Sequence, residues 1–152
     1  MEENQELAEQ IRSLAEGERA ALPLLANAAA VIYWGMKDVS WAGFYLLQGE
    51  ELVLGPFQGK PACIRIPLGK GVCGTAASRK RTLVVPDVSA FPGHIACDSA
   101  SRSEIVVPLI HDGRVLGVLD LDSTVPGRFG EREQRALEAV SSVLSGMPEK
   151  LL

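Results

Sequence analysis

The sequence predicts an α+β fold in which a central, mainly antiparallel sheet lies between helices from the two ends of the chain. Three observations support this class. Apolar residues recur at helical spacing before residue 36 and after residue 130, the apolar period changes to two from Val39, and an Asp-Gly pair separates two β-branched runs. Strands grouped between helices usually form one sheet with helices packed on its face.

Length and charge limit the classes of protein. A chain of 152 residues is expected to form a single domain, residues 1–152, and its net charge of -4 argues against a nucleic-acid partner. The acidic start, Met1 to Glu6, lacks the basic region of a signal peptide, so we expect a cytoplasmic protein. The uncharged run from Ala20 to Met36 is shorter than the roughly 20 residues that a bilayer requires. It predicts a core helix and no membrane segment.

The first half of the chain predicts two helices and then strands. One helix contains Leu7 and Ile11, and the second follows Pro23, which the first turn of a helix tolerates. The next segment is a strand with two distinct faces. One face carries Trp41, Gly43, Tyr45 and Leu47, and the other carries Ala42, Phe44 and Leu46. Residues 52–57 and 62–66 predict two further strands.

The middle of the chain predicts a short helix and a long loop. Residues 67–78 form a glycine-rich loop that runs into an Ala-rich helix, but the spacing of a phosphate-binding P-loop is not met. Residues 82–85 predict a short strand. The loop that follows, residues 88–103, is long for a compact domain, and such loops are usually functional.

The second half predicts a β-hairpin and a closing helix. Residues 105–110 and 115–121 are the two strands, and residues 131–144 are a helix that Met147-Pro148 would end. On the second strand Leu116, Val118, Asp120 and Asp122 would share a face. A two-residue turn would point Glu104 away from Asp120, whereas a three-residue loop with Gly113 left-handed and a bulge after it would place the two opposite each other. We expect the second register.

Three carboxylates in one partly apolar site predict unusual acid–base behaviour. Like charges and burial both raise the pKa of a carboxyl group, so at least one of Glu104, Asp120 and Asp122 is expected to hold a proton near neutrality. Such a site suits a small cation, for example the ammonium of a free amino acid, and can donate a proton to a departing oxygen. The alternative for the aspartates is a strand end that passes into solvent.

The three cysteines, Cys63, Cys73 and Cys97, are too few and too widely spaced for a disulfide framework or a Cys-x-x-Cys zinc site, so no metal is expected. Cys97 has polar neighbours in the long loop, and His94 or Arg102 could favour its thiolate, the reactive form. Its alternative is a small buried apolar side chain. Cys63 is expected in a strand, either as core or as a working thiol.

Two further features have open interpretations. His94 could fix its loop by a hydrogen bond or act as a base. Trp41 and Tyr45 could form the apolar wall of a pocket for a thioether or a methyl sulfoxide, or they could be core residues.

A set of short motifs between Ser40 and Phe129 carries a resemblance to one known family. The motifs are Trp41-Ala42-Gly43-Phe44-Tyr45, Gly55-Pro56-Phe57-Gln58-Gly59, Ala62-Cys63, Gly71-Val72-Cys73-Gly74, His94-Ile95-Ala96-Cys97-Asp98-Ser99, Ser103-Glu104-Ile105-Val106 and Gly117-Val118-Leu119-Asp120-Leu121-Asp122-Ser123. In these motifs the chain is similar to the free methionine-(R)-sulfoxide reductases, which are GAF-domain enzymes.

The resemblance implies a GAF-like fold with the terminal helices on one face of the sheet and the short helix and active-site loops on the other. It implies a cytoplasmic homodimer that reduces free L-methionine-(R)-sulfoxide with thioredoxin as reductant and without a metal or organic cofactor.

The resemblance also assigns roles to residues. Cys97 would be the nucleophile that becomes a sulfenic acid, and Cys63 would resolve it by forming a disulfide. Cys73 is the third family cysteine, and it could resolve or attack. Glu104, Asp120 and Asp122 would form the acidic pocket, with Glu104 and Asp122 favoured as proton donors. Trp41 and Tyr45 would form the wall that accepts the substrate methyl group.

Two other functions compete with this one. A GAF domain is more often a sensory module that binds a small effector without catalysis. A Cys-His hydrolase would need an oxyanion site, which the sequence does not reveal.

Gly130 is unusual for its position. It stands directly before the closing helix, where a residue with a capping side chain is commoner.

Overall fold

The computed structural model describes residues 3–95 and 99–146, with side chains from Glu6 onward. The predicted nucleophile Cys97 and the predicted helix stop at Met147-Pro148 therefore lie outside the described residues. The helices are α1 (Glu3–Ala15), α2 (Ala21–Gly35), α3 (Gly71–Arg79) and α4 (Glu131–Ser145), with a 3₁₀ turn at Val88–Ala90. The strands are β1 (Trp41–Gln48), β2 (Glu51–Gln58), β3 (Arg65–Pro67), β4 (Leu83–Val85), β5 (Ser103–His111) and β6 (Arg114–Ser123).

The six strands form one antiparallel sheet in the order β3-β2-β1-β6-β5-β4. The hairpins β1–β2 and β5–β6 lie side by side at the centre of the sheet, where β1 pairs with β6. The predicted α+β class is confirmed. Because side chains alternate across a strand, each central strand contributes residues to two separate cores.

One core, the helix-side core, lies between the sheet and α1, α2 and α4. It contains Phe44, Leu119 and Leu121 from the sheet, all fully buried, together with Ile32 and Leu137 from the helices. Pro23 occupies the first turn of α2, as predicted. Burial of each large side chain contributes about 1.5–3 kcal/mol, so this face carries much of the stability of the domain.

The other core, the cavity-side core, lies between the sheet and α3. Trp41, Tyr45 and Val118 contribute from the sheet and Cys73 and Ala76 from α3. The predicted assignment of Trp41 and Tyr45 to one face of β1, with Phe44 on the other, is confirmed. So is the placement of the terminal helices and the short helix on opposite faces of the sheet.

The β5–β6 turn differs from the prediction. It has two central residues, Asp112 and Gly113, whose φ angles of 50° and 77° are both left-handed, and His111 pairs with Arg114. Two consecutive positive φ angles define a type I′ turn, which matches the twist of a hairpin. The predicted three-residue loop is therefore wrong.

The predicted pairing of Glu104 with Asp120 is also wrong, because Glu104 pairs with Asp122 and Val106 pairs with Asp120. The irregularity lies farther along, where Leu109 pairs with Gly117 but Ile110 pairs with Val115. The extra residue on β6, Leu116, reverses the alternation of side chains.

This bulge has two consequences. Glu104, Asp120 and Asp122 still share one face of the sheet, as predicted. Leu116 does not share it, since this side chain packs against the helix-side core.

The third strand is shorter than predicted. It spans Arg65–Pro67 and leaves Ala62 and Cys63 in the β2–β3 loop, so the predicted strand position of Cys63 is wrong. The loop is stabilised instead by hydrogen bonds from side chains of β1, which are described below. At the start of α4, Glu133 replaces the missing cap of Gly130 by accepting a 2.7 Å hydrogen bond from its N–H. Among the described residues, no helix has the length and apolar character to cross a membrane.

Candidate active site

The three predicted carboxylates meet on the cavity side of the sheet. Glu104 and Asp122 are cross-strand neighbours on β5 and β6, and Asp120 lies two residues from Asp122 on the same face. Glu104 is 7% exposed and Asp120 is 5% exposed, so neither is at a solvated strand end. The predicted acidic cluster is present. The alternative of a solvated strand end, which concerned the two aspartates, fails for Asp120, while Asp122 is half-buried.

Burial determines the protonation of this cluster. It raises the pKa of Glu104 well above the usual value of 4.5, and the nearby charges of Asp120 and Asp122 raise it further. Burial also raises the pKa of Asp120, while hydrogen bonds with Glu104 and Cys73 and the charge of His94 act in the opposite direction. The cluster therefore retains a proton under conditions in which exposed carboxyl groups have lost theirs.

The two oxygens of Glu104 have different neighbours. Cys73 Sγ, from the first turn of α3, lies 4.0 Å from Glu104 Oε2. His94 Nε2, from the long loop, lies 4.0 Å from Glu104 Oε1. Burial, followed by the charge of Asp120, raises the pKa of Cys73, so this thiol is held in its protonated, less nucleophilic form.

One carboxylate oxygen of Asp120 is available to accept a hydrogen bond from a ligand. Its Oδ1 atom is buried and has no hydrogen-bond partner among the residues that the structure describes. An unpartnered buried carboxylate oxygen is costly unless a ligand supplies a donor. A ligand with N–H groups would remove this penalty.

The aromatic wall adjoins the cluster. Trp41 stacks on Tyr45 with ring centroids 6.0 Å apart and on Phe57 with centroids 5.2 Å apart. Gly43, between Trp41 and Tyr45 on the same face, makes room for this stack, since a Cβ there would collide with Phe57 and lie 2.8 Å from the Trp41 ring. The wall thus provides a flat apolar surface beside the acids.

The wall also supports the β2–β3 loop. Trp41 Nε1 donates a 3.0 Å hydrogen bond to the Lys60 carbonyl, and the Tyr45 hydroxyl donates a 2.8 Å hydrogen bond to the Cys63 carbonyl. Cys63 is half-buried and disulfide-bonded, whereas Cys73 is a free thiol.

The three carboxylates, Cys73, His94 and the Trp41–Tyr45 pair line one cavity. Its described lining contains the predicted residues Trp41, Tyr45, Cys73, Glu104, Asp120 and Asp122, together with Lys60, Pro61, Ala62, Ile66, Gly71, Val72, His94, Ile95 and Ser101. Cys63 packs against the same core beside the cavity. Cys97 lies outside the described residues, so its prediction as nucleophile stays a prediction.

Lys60 and Ser101 also line the cavity, although the sequence pattern did not predict either as a site residue. Lys60 is the one Lys or Arg residue in the described lining of the cavity. The signal was weak, because a lone lysine after Gly59 is typical of an exposed turn. Only the two hydrogen bonds from β1 show that the loop closes over the aromatic wall.

The donor set could also hold a metal ion. One atom each from Cys73, Glu104 and Asp120 lies within 4.8 Å of the other two. The prediction that no metal is required stays a prediction.

The fold and this cavity define the class of protein. The GAF domain family model matches residues 3–146, a range that contains the whole sheet, the helices on its two faces and the cavity. The chain therefore belongs to the GAF domain family.

Comparison with individual proteins narrows the class. The chain is 50% identical over 139 residues to the free methionine-R-sulfoxide reductase of Escherichia coli K12, covering 91% of this chain and 84% of that protein. It is 45% identical to the enzyme of the same name from Saccharomyces cerevisiae, covering 93% and 85%. A free methionine-R-sulfoxide reductase from Neisseria meningitidis, solved in complex with its substrate, superposes with a TM-score of 0.90 at 48% identity, covering 93% and 86%.

Within the GAF proteins, this chain belongs to the free methionine-R-sulfoxide reductases, a family of oxidoreductases.

Proposed function

We propose that this protein reduces free L-methionine-(R)-sulfoxide to L-methionine. The observation that carries the proposal is the meeting of the acidic cluster and the aromatic wall in one cavity that a free thiol also lines. This combination matches the parts of the substrate: an ammonium, a polar sulfoxide oxygen and an apolar methyl group. Membership of the reductase family supports the same substrate.

Each part of the substrate has a suitable neighbour. The Asp120 carboxylate, with its unpartnered Oδ1, suits the ammonium. Lys60, at the rim of the cavity, suits the α-carboxylate. The Trp41–Tyr45 stack suits the methyl group. A peptide-bound methionine sulfoxide has neither free charge, so this cavity favours the free amino acid.

Glu104 and Asp122 are the proposed acids. A sulfoxide oxygen leaves poorly until it is protonated, and the raised pKa of Glu104 keeps a proton available near neutrality. The Cys97 thiolate attacks the substrate sulfur and the oxygen is transferred, so methionine and a Cys97 sulfenic acid are the products. The substrate gains two electrons and Cys97 loses two.

Recycling uses a second thiol. Cys63 attacks the sulfenic acid, a disulfide forms and water leaves. The disulfide state of Cys63 together with the free state of Cys73 supports Cys63 as the resolving thiol. Cys73, buried beside two carboxylates, is less suited to attack because its pKa is raised. Thioredoxin, a dithiol, restores the starting state by thiol–disulfide exchange.

No electron or proton in this sequence requires a metal or an organic cofactor, and none is proposed. The proposed setting is the cytoplasm, where thioredoxin keeps thiols reduced. The proposed assembly is a homodimer. The exposed side chains of Leu22 and Trp34 on α2, with Trp34 79% exposed, give the molecule apolar surface for such a contact.

Incubation of the purified protein with the separated sulfoxide epimers, thioredoxin, its reductase and NADPH tests the proposal. Turnover of the free R epimer alone is expected. Ligand binding without turnover would instead support a sensory module.

Cysteine variants test the assignment of thiols. Cys97→Ser should yield no methionine even in a single turnover, whereas Cys63→Ser should yield one equivalent and then stop. Mass mapping of the disulfide after substrate exposure should identify Cys63 and Cys97. Stoichiometric methionine from Cys97→Ser would refute the assignment.

A further inference from the structure

We infer that the Tyr45 hydroxyl positions Cys63 for disulfide formation, separately from the proposed contact of the Tyr45 ring with substrate. The hydroxyl points along the cavity wall to the β2–β3 loop, where it donates its 2.8 Å hydrogen bond to the carbonyl of Cys63 itself. The inference rests on the proposed function, because it concerns the step that follows release of methionine.

The loop that carries Cys63 depends on such contacts. It lies outside the strands between Gly59 and Ile64. Two of its carbonyls accept hydrogen bonds from aromatic side chains of β1, Lys60 from Trp41 and Cys63 from Tyr45. At its far end the Ile64 carbonyl accepts a 2.8 Å hydrogen bond from the Leu54 N–H. In this structure Cys63 is also held by its disulfide, and the wall supplies the hydrogen bonds that fix the backbone of its loop beside the cavity.

Tyr45 is suited to hold this bond near neutral pH. Its side chain is 2% exposed, and burial, with the charge of Asp120 next, raises its pKa above the ordinary value of 10.0. The phenol therefore stays protonated near neutral pH and can donate this hydrogen bond. A buried hydroxyl that lost its partner would leave both groups unsatisfied, which favours retention of the contact.

Disulfide formation depends on this position. The Cys63 sulfur attacks the sulfenic sulfur of Cys97, an S–S bond forms, the S–O bond breaks, and the oxygen leaves as water with protons from the thiol and solvent. The rate rises with the effective concentration of one sulfur at the other. Without the hydrogen bond the loop samples more conformations, and that effective concentration falls.

Rapid mixing of reduced protein with substrate separates the two steps. For Tyr45→Phe, disulfide formation should slow at least tenfold more than methionine formation slows. The sulfenic acid should accumulate and be trapped by dimedone. Equal slowing of both steps, or an unchanged disulfide step, would overturn the inference, since a general loss of structure or of substrate contact would affect methionine formation as much.

A second measurement needs no substrate. At equilibrium with a dithiothreitol redox buffer, Tyr45→Phe should shift the protein toward the dithiol by about tenfold, which corresponds to about 30 mV for a two-electron couple. An unchanged equilibrium would overturn the inference. If the wild type made no methionine, the proposed function would fail, while this equilibrium would still test the role of the hydroxyl.

The chain offers a matched control and a second variant. Tyr33, the other of its 2 tyrosines, lies on α2 against the helix-side core, and Tyr33→Phe should match the wild type in both steps and in the equilibrium. Trp41→Phe keeps an aromatic ring but removes the hydrogen bond to Lys60, so it should shift the redox equilibrium in the same direction as Tyr45→Phe. A shift caused by Tyr33→Phe as large as that of Tyr45→Phe would contradict the positioning role.

Discussion

At the scale of single residues, the surroundings of Glu104 change its protonation state. An ordinary glutamate would be ionised at pH 7, but here burial and two aspartates favour the protonated form. The same oxygens face Cys73 and His94, so the acid lies between a thiol and an imidazole. Its geometry and its protonation both suit donation of a proton to the sulfoxide oxygen.

The first prediction concerns this role. Glu104→Gln keeps the shape and removes the acid, so single-turnover methionine formation should slow by roughly a hundredfold or more, the usual loss for a general acid. Circular dichroism should show an unchanged fold. Rapid-quench measurement of methionine checks the rate, with the exposed Glu50→Gln as control. A near-normal rate would remove Glu104 from the mechanism.

The second prediction concerns stability against pH. Since the pKa of Glu104 is raised on folding, the folded state binds more protons than the unfolded state above about pH 4.5, and stability falls as pH rises from there through the raised pKa. The loss is about 1.4 kcal/mol for each pKa unit of the shift.

Glu104→Gln should remove this contribution. Urea denaturation of the oxidised proteins at pH 5 and pH 8 should show a smaller decrease in the variant than in the wild type. Titrating groups outside the cavity cancel in the comparison, and Glu50→Gln should behave as wild type. The difference that remains belongs to Glu104 together with Asp120 and Cys73, whose pKa values depend on it. A difference between variant and wild type that stayed constant with pH would contradict the raised pKa.

At the scale of elements, close approach between β1 and β2 shapes the aromatic wall. A Cβ at Gly43 would collide with Phe57 and press on Trp41. Gly43→Ala should therefore destabilise the protein by about 3 kcal/mol, near the upper range for overpacking. It should also weaken substrate binding, because the displaced rings form the cavity wall.

Chemical denaturation and titration with substrate under non-turnover conditions check both effects. Gly146→Ala is a suitable control, since the nearest atom to a Cβ there is 3.7 Å away. If Gly43→Ala were as stable as the wild type, β1 and β2 would be able to move apart at this position without lowering the free energy of unfolding.

The elements also show how far sequence reasoning reaches. Alternation along β1 predicted that Trp41 and Tyr45 share a face, because a period of two follows from strand geometry alone. The hairpin register could not be predicted in this way. Asp-Gly fits a two-residue or a three-residue connection, and the bulge at Leu116 depends on how β6 packs against β1.

The site was predictable to a similar extent. Placement of Glu104, Asp120 and Asp122 on one face was correct although the assumed turn and pairing were not, because a bulge elsewhere in the hairpin restored the alternation. The position of Cys63 was not predictable. Its apolar neighbours are typical of a strand. Its position in a loop depends on the hydrogen bond from Tyr45 and on its disulfide, which the local sequence does not reveal.

At the scale of the whole molecule, the sheet separates stability from chemistry. Its helix-side face is covered by three helices and is apolar. Its cavity-side face carries buried carboxylates, one with an unpartnered oxygen. Buried carboxylates, and above all a buried oxygen without a donor, lower the free energy of unfolding, so the helix-side core must offset this loss. Adjacent residues on β6 should therefore respond in opposite ways to substitution.

Leu119 and Asp120 provide this comparison, since one is fully buried against the helices and the other lines the cavity. Leu119→Ala should lower the free energy of unfolding by about 2–5 kcal/mol, with methionine formation per folded molecule unchanged.

Asp120→Asn should weaken substrate binding at least tenfold, the value of a lost charge-assisted hydrogen bond. Its stability at pH 7 should be equal to or above that of the wild type, because a buried charge is removed. Denaturation and single-turnover titration measure both quantities for each variant. If Asp120→Asn were less stable than the wild type and bound substrate normally, the carboxylate would serve the fold. The ammonium of the substrate would then have to be bound by other groups of the cavity.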